Sequence, residues 1–261
     1  MKLDNTVVIV TGSAVGVGAA CAVQLARKGA KVVVNYSKSE IEARATQALC
    51  LASGGEAIVV QGDVSRDADC RRIAQAALNQ WGRIDALINN AAITKFVDQG
   101  DLEGVSADDF QRLYAVNVIG PYQMARAAAP ALQVQGGAIV MISSMSGITG
   151  VGSSNAYVAS KGALNTMTLA LARALAPNVR VNAVCPGLIE TRWHTARFTN
   201  PADYEKFRDK YADSVALGKA CSADDVAGVA VGLIEHGDMI TGEMIKVDGG
   251  AHLGVPWRAR S

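Results

Sequence analysis

The sequence predicts a doubly wound α/β fold, a parallel sheet with helices on both faces, and three observations carry that prediction. Short runs rich in Val and Ile recur along the 261-residue chain, each nearly continuous in hydrophobicity, as in strands covered on both faces. Longer segments with helical spacing alternate with them through short connections. No shift in composition marks a linker and no internal repeat is visible, so residues 1–261 read as a single domain.

Taken in order, the run at 6–10 is the first strand and passes through a glycine-rich turn into a helix over 17–28. Strand 31–34 precedes a helix over 39–52, and strand 57–60 precedes one over 66–80. Strand 85–88 leads to a long helix over 106–134, which opens on Ser106-Ala107-Asp108-Asp109, a capping box in which serine and acid satisfy each other's backbone N–H. Strand 138–142 is followed by a helix over 155–176 and strand 179–184. A second capping box, Ser222-Ala223-Asp224-Asp225, opens a helix over 222–235, and strand 244–247 closes the sheet. One segment breaks the rhythm: residues 188–219 carry Trp193, His194, Phe198, Tyr204, Phe207 and Tyr211 among many charges. An excursion after a strand's C-terminal end lies near where open α/β sheets bind ligands, so it is a candidate substrate lid; a solvated helical insertion fits the same residues.

Composition narrows the function classes. With 25 basic and 24 acidic side chains and only 19% charged residues, the chain has no broad basic face for nucleic acid. Half the residues are hydrophobic, which excludes long disorder. The first five residues hold no apolar core of a secretory peptide, and no apolar stretch approaches the roughly 20 residues of a membrane span. Five scattered cysteines, with no CxxC pair, read as buried hydrophobes in a reducing cytoplasm. His194, His236 and His252 lack ligand spacing, so no metal site is expected.

The first strand runs into Thr11-Gly12-Ser13-Ala14-Val15-Gly16-Val17-Gly18 at the mouth of a helix. Glycines there let the backbone approach a pyrophosphate, and the helix start offers free N–H groups and a positive dipole end. The spacing is GxxxGxG rather than GxGxxG, and glycine-rich turns of this kind also arise for packing. Its place in the first strand–turn–helix unit favours a dinucleotide site. The region around the end of the second strand reads Val33-Val34-Asn35-Tyr36-Ser37-Lys38, with no acid before Glu40. NAD sites usually place a carboxylate there for the ribose 2′-hydroxyl, and a carboxylate would repel a 2′-phosphate. Its absence, with a hydroxyl and an ammonium at hand, favours NADP(H) over NAD(H); Lys38 also fits a solvated helix start.

Tyr157 and Lys161 stand four residues apart in a helix and share a face. A nearby ammonium favours the phenolate, which would lower the tyrosine from its usual value of about 10 and make it a general acid or base. Such a pair arises by chance in many chains. Its company is more telling: Ser143-Ser144 follows one strand, Asn89-Asn90-Ala91-Ala92 another, and Asn117 lies inside the long helix, where asparagine gains little without a partner.

These residues, in this order and spacing, resemble the short-chain dehydrogenase/reductase family over nearly the whole chain, close to its 3-oxoacyl-carrier-protein reductase and glucose dehydrogenase-like members. The match runs from Thr11-Gly12 through Asp63-Val64, Asn90, Asn117, Ser144, Tyr157, Lys161, Pro186-Gly187 and Thr191 to Asp248-Gly249-Gly250. The resemblance implies a Rossmann-type, seven-stranded parallel sheet in homodimers or homotetramers. It implies that Tyr157 exchanges a proton with the substrate oxygen, that Ser144 hydrogen-bonds that oxygen, that Lys161 holds the ribose and that Asn117 positions a water. It further implies that Gly12, Ser13, Gly16, Val17 and Gly18 meet the coenzyme phosphates and Tyr36, Ser37 and Lys38 its adenosine end. Asp63 and Val64 would meet the adenine, Asn90 and Ala91 the ribose, and Ile189 and Thr191 the nicotinamide carboxamide, with Ala92, Pro186 and Gly187 also lining the coenzyme. Ala92 departs from the glycine that many members carry, which narrows backbone freedom without removing chemistry.

The resulting expectation is a cytoplasmic, NADP(H)-preferring oxidoreductase moving hydride between nicotinamide C4 and a small carbonyl/alcohol substrate, without nucleic-acid or membrane partners. Alternatives are a 3-oxoacyl-carrier-protein reductase and a non-catalytic nucleotide sensor on the same fold. A carrier protein is acidic, and the helix ends at 127–136 and 175–178 hold no Lys or Arg, which favours a free small molecule; Arg173 or Lys95 could supply the docking cation instead. Arg192 and Arg197 are candidates for a substrate carboxylate or phosphate, or for solvated surface.

Overall fold

The computed structural model describes residues 1–195 and 198–254, without the side chains of His194 and Thr195. Its frame is one seven-stranded, wholly parallel sheet in the order β3-β2-β1-β4-β5-β6-β7. The strands are β1 (Val7–Val10), β2 (Lys31–Tyr36), β3 (Glu56–Gln61), β4 (Ala86–Asn89), β5 (Ala138–Ile142), β6 (Arg180–Pro186) and β7 (Met244–Val247). Every side chain of β1 is fully buried, which is why this strand carries no polar alternation.

Successive side chains on a strand face opposite sides, and the core divides accordingly. Val8, Val10, Val32 and Val34 pack against α1 (Gly16–Arg27), α2 (Glu40–Ala52) and α10 (Ala223–Glu235). Val7, Ile9 and Val33 pack against α3 (Asp67–Trp81), α5 (Gly120–Gln135) and α7 (Asn155–Leu175). Each such Val or Ile contributes on the order of 1.5–3 kcal/mol by leaving water. Both expected capping boxes form, on α4 (Ala107–Tyr114) and on α10, with serine hydroxyl and aspartate carboxylate bonded reciprocally.

Three features differ from the sequence expectation. The helix expected over 106–134 is interrupted: a turn of π-helix, Ala115–Ile119, separates α4 from α5. Strand β2 extends two residues further, because Asn35 and Tyr36 are buried and pair with Val60 and Gln61 of β3. Within the 188–219 excursion lie the one-turn helix α8 (Arg192–Thr195) and α9 (Pro201–Ser214), whose polar surface leaves no buried residue; Ala196 and Arg197 lie outside the described residues. A short α6 (Ser146–Thr149) precedes α7.

The strand order reverses between β1 and β4, where neighbouring connections leave toward opposite edges and open a crevice at the C-terminal ends. Val10 is in register with Ile88, Asn89 with Met141 and Ile142 with Val184, so the turns following β1, β4, β5 and β6 stand in a row along that edge. Among the described residues no helix is long and apolar enough to cross a membrane.

Candidate active site

The loop after β1 is shaped by close approach. Gly12 has φ +60°, and a Cβ there would stand 2.8 Å from the Ala91 Cα; one on Gly18 would meet the Gly12 carbonyl at 2.7 Å. Glycine alone fits both positions. Thr11 and Asn90 lock this loop to the turn after β4. The Thr11 hydroxyl accepts from the Asn90 and Ala91 N–H groups at 3.0 and 3.1 Å, and the Asn90 amide donates to the Thr11 and Gly12 carbonyls at 2.9 Å. Ser13 is fully buried, its N–H bonded to the Asn35 carbonyl and its hydroxyl to that of Val10, so its visible role is to shape the turn. Val17, also buried, packs in the core cluster on the α1 side.

Asn35, which the sequence reading passed over, completes this scaffold. Its Oδ1 accepts from the Gly12 N–H at 3.1 Å, while its Nδ2 donates to the Val60 and Gly62 carbonyls. A polar residue inside an otherwise apolar run was the available signal. Next to it Tyr36 is buried with Glu40 close enough to push its phenol up, and Arg44 grips that carboxylate at 2.7 Å. A carboxylate thus does lie near the end of β2, but Arg44 occupies it.

Beyond Tyr36 a cleft of about 350 Å³ opens between the ends of β2 and β3 and the start of α3. Ser37, Lys38, Asp63, Arg66 and Arg72 line it. Arg72 is committed to the Gln61 carbonyl and to Asp69, at 2.6 Å each. Lys38 and Arg66 are exposed and form no ion pair among the described residues. Asp63 takes the Ser65 hydroxyl and N–H at 2.7 and 3.0 Å, and Val64, buried beneath, takes the Gln123 amide on its carbonyl.

Tyr157 stands in the first turn of α7, where the Ser154 hydroxyl accepts its N–H at 3.3 Å. The Ser144 hydroxyl stands close enough to its phenol to favour the ionised form, and it accepts the Ser146 N–H at 3.1 Å. Lys161, one turn further, is 3% exposed and places Nζ 5.8 Å from the centre of the tyrosine ring. That ammonium donates to the Ile142 carbonyl at 2.9 Å, leaving two of its three donors without a protein partner. Burial pushes the Tyr157 phenol up to about 12 against the influence of Ser144, and pulls the Lys161 ammonium down to about 8 against the attraction of Cys185. The expected lowering of the tyrosine by the lysine is therefore absent: desolvation outweighs an ammonium that is turned toward a backbone carbonyl.

Asn117 falls in the π-turn, fully buried. Its Oδ1 accepts from the Ile93 N–H at 2.9 Å; its Nδ2 donates to the Ile93 carbonyl and to the Ser160 hydroxyl, both at 3.0 Å. Ser160 in turn donates to the Tyr157 carbonyl at 2.7 Å. Asn117 thereby staples the chain after β4 to the turn that carries Tyr157. π-turns inside α-helices recur at functional sites, and here the extra residue aims the amide inward.

After β6 the chain closes over the glycine loop. The Pro186 carbonyl accepts from the Met145 N–H at 2.9 Å, and a Cβ on Gly187 would meet the Asp248 Cα at 3.1 Å. The Tyr211 hydroxyl of α9 accepts from the Leu188 N–H, a contact that sequence spacing did not reveal. Ile189 bridges to Cys221, and the Thr191 methyl lies 3.7 Å from where a Gly16 Cβ would stand. Arg192, a candidate substrate contact, pairs with Glu42 of α2 at 3.1 Å; Arg197 lies outside the described residues. Among the described residues no three His, Cys, Asp or Glu side chains converge as a metal site.

A parallel sheet reversing at a glycine-lined crevice, with a Ser–Tyr–Lys constellation across it, defines the class: a nicotinamide-dependent oxidoreductase. The chain belongs to the short-chain dehydrogenase/reductase family, and residues 12–252 match a family model described as enoyl-(acyl carrier protein) reductase. An uncharacterized oxidoreductase of Methylorubrum extorquens is 38% identical over 95% of this chain and 98% of its own. Versicolorin reductase 1 of Dothistroma septosporum is 34% identical over 96% and 97%. Among solved structures, a blue fluorescent protein from a metagenomic library, in complex with NADPH, superposes with a TM-score of 0.85 at 34% identity, covering 96% of this chain and 99% of the other.

Proposed function

We propose that this protein is an NADPH-preferring reductase of a free, small-molecule ketone, with Tyr157 as the proton donor. The observation that carries the reading is the placing of Tyr157 in the first turn of α7 with Ser144 beside its phenol and the Lys161 Nζ 5.8 Å from its ring centre; burial pushes the phenol up to about 12. A reduction needs a proton at the carbonyl oxygen, and a neutral phenol holds one ready. When bound, the coenzyme supplies the hydride. The spare donors of Lys161 suit ribose hydroxyls, and the glycine turn at Gly12 and Gly18 suits a pyrophosphate at the start of α1. Ser144 donates to the same carbonyl oxygen and fixes its direction toward Tyr157. Asn117, stapled to Ile93 and Ser160, keeps the turn bearing Tyr157 in place.

Three observations support the coenzyme preference. Glu40 is already engaged by Arg44, so it is a poor acceptor for a free 2′-hydroxyl. Lys38 and Arg66 bring two cations to the adjoining cleft. The NADPH-bound structure shares 34% of the sequence and the fold. A charge-assisted phosphate contact is worth about 1.5–3 kcal/mol. Lys38→Ala and Arg66→Ala should each raise the KM for NADPH roughly tenfold or more and leave that for NADH within about twofold. Equal kcat/KM for both coenzymes in the wild type would overturn the preference. The non-catalytic alternative loses ground because a nucleotide sensor has no use for a proton donor aligned with a serine hydroxyl.

A further inference from the structure

The excursion after β6 bears on the shape of the substrate. Trp193, the second residue of α8, sets its ring centre 6.3 Å from that of Tyr157, with the two planes 55° apart. The separation is one of direct aromatic contact, so nothing flat passes between the rings and the indole flanks the tyrosine. Trp193 is half-buried rather than spread into solvent. Its preceding neighbours are fixed: Thr191 lies against the glycine loop and Arg192 is paired with Glu42.

The loops on either side of Ser144 and Tyr157 continue this apolar character. Phe96 follows β4 on a chain whose Val97 N–H is bonded to the Ser153 carbonyl, and Ile148 stands in α6; they are 37% and 43% exposed. The cations nearest in sequence are engaged, Lys95 by Asp109 at 2.6 Å and Arg192 by Glu42. An aromatic plate beside the proton donor, apolar side chains on the flanking loops and engaged cations describe a place for an uncharged, flat molecule. We propose that Trp193 is a specificity-determining residue that forms one wall of the substrate site and selects planar, conjugated ketones. The proposal rests on the carbonyl-reductase reading above and adds to it the class of ketone.

The test compares a bicyclic aryl ketone of the 1-tetralone type with cyclohexanone, each with NADPH, in the wild type, Trp193→Ala and Trp193→Phe. An aromatic contact of about 0.5–1.5 kcal/mol amounts to as much as about tenfold in affinity. The expected result is a higher kcat/KM for the aryl ketone in the wild type and an approximately tenfold rise in its KM in Trp193→Ala. The ratio of the aryl-ketone to the cyclohexanone kcat/KM should fall about tenfold beyond any change the two substrates share, and Trp193→Phe should restore most of the aryl preference. Titration of the protein's tryptophan fluorescence with the aryl ketone, without turnover, should show quenching that Trp193→Phe removes. If cyclohexanone and tetralone are reduced alike, or Trp193→Ala shifts both equally, the wall is refuted while carbonyl reduction stands. If quenching depends on Trp193 but neither ketone is reduced, the carbonyl reading fails and the aromatic wall survives.

Discussion

At the residue scale, Tyr157 and Lys161 titrate in opposite directions for one reason, the exclusion of water from both. Desolvation pushes the phenol up to about 12, which favours the protonated form that reduction needs. The ammonium, pulled down to about 8, is the group that changes within that range: it is charged below that value and neutral above it. Since kcat/KM reports the ionisations of the free enzyme, the profile for ketone reduction should be level up to about pH 8 and then fall about tenfold per pH unit. A profile level to pH 10 would show that the charge on Lys161 is not required. Four residues of spacing told correctly that the two side chains share a face. It could not tell where the ammonium spends its donors, because the Ile142 carbonyl comes from β5, nineteen residues away.

At the scale of elements, one hydroxyl carries two of the bonds that hold the glycine loop to the turn after β4. Thr11 accepts the Asn90 and Ala91 N–H groups, and no other acceptor serves them among the described residues. Thr11→Val keeps the shape and removes the acceptor. It should lower stability by about 1–3 kcal/mol, read as a shifted urea midpoint at unchanged slope, and weaken coenzyme binding as well. A change below about 0.5 kcal/mol would mean that water satisfies both donors. The strands were legible to within two residues because continuous Val and Ile runs have one reading in a doubly covered sheet. The break at Ala115–Ile119 was not, because one turn of π-helix leaves the apolar pattern nearly intact on either side. Helix α9 answers to the solvated helical insertion that the 188–219 residues also allowed; with no buried residue it has no apolar stripe to fix its bounds. The end of β2 was misjudged at Asn35 and Tyr36, whose burial depends on partners from β3 and α2 that local propensity does not contain.

At the scale of the whole molecule, the sheet order brings the ends of β1, β4, β5 and β6 into one row, so residues from Gly12 to Thr191 meet at one edge. Motif order made much of that edge readable, since Gly12, Asn90 and Ser144 follow strands and Tyr157 opens a helix, while Asn117 sits in the π-turn. The surface beyond it bears on the choice between a free substrate and one tethered to an acidic carrier protein. Of the two cations considered for docking, Lys95 is held by Asp109, which leaves Arg173; Arg180, at the start of β6, is spent on the Leu233, Ile234 and Gly237 carbonyls. A free ketone should therefore be reduced at least as efficiently as its carrier-tethered counterpart. An advantage of about 100-fold for the tethered form, erased by added salt, would show a steered carrier complex instead.

The most direct measurement is made on Tyr157→Phe, with NADPH affinity by fluorescence titration and ketone reduction by single-turnover kinetics on the same preparation. If the phenol donates the proton, the rate falls by about 10²–10⁴-fold while the Kd for NADPH stays within about twofold, because the ring and its place in α7 are kept. Retention of more than about a tenth of the wild-type rate, with coenzyme still bound, would contradict the assignment of Tyr157 as general acid.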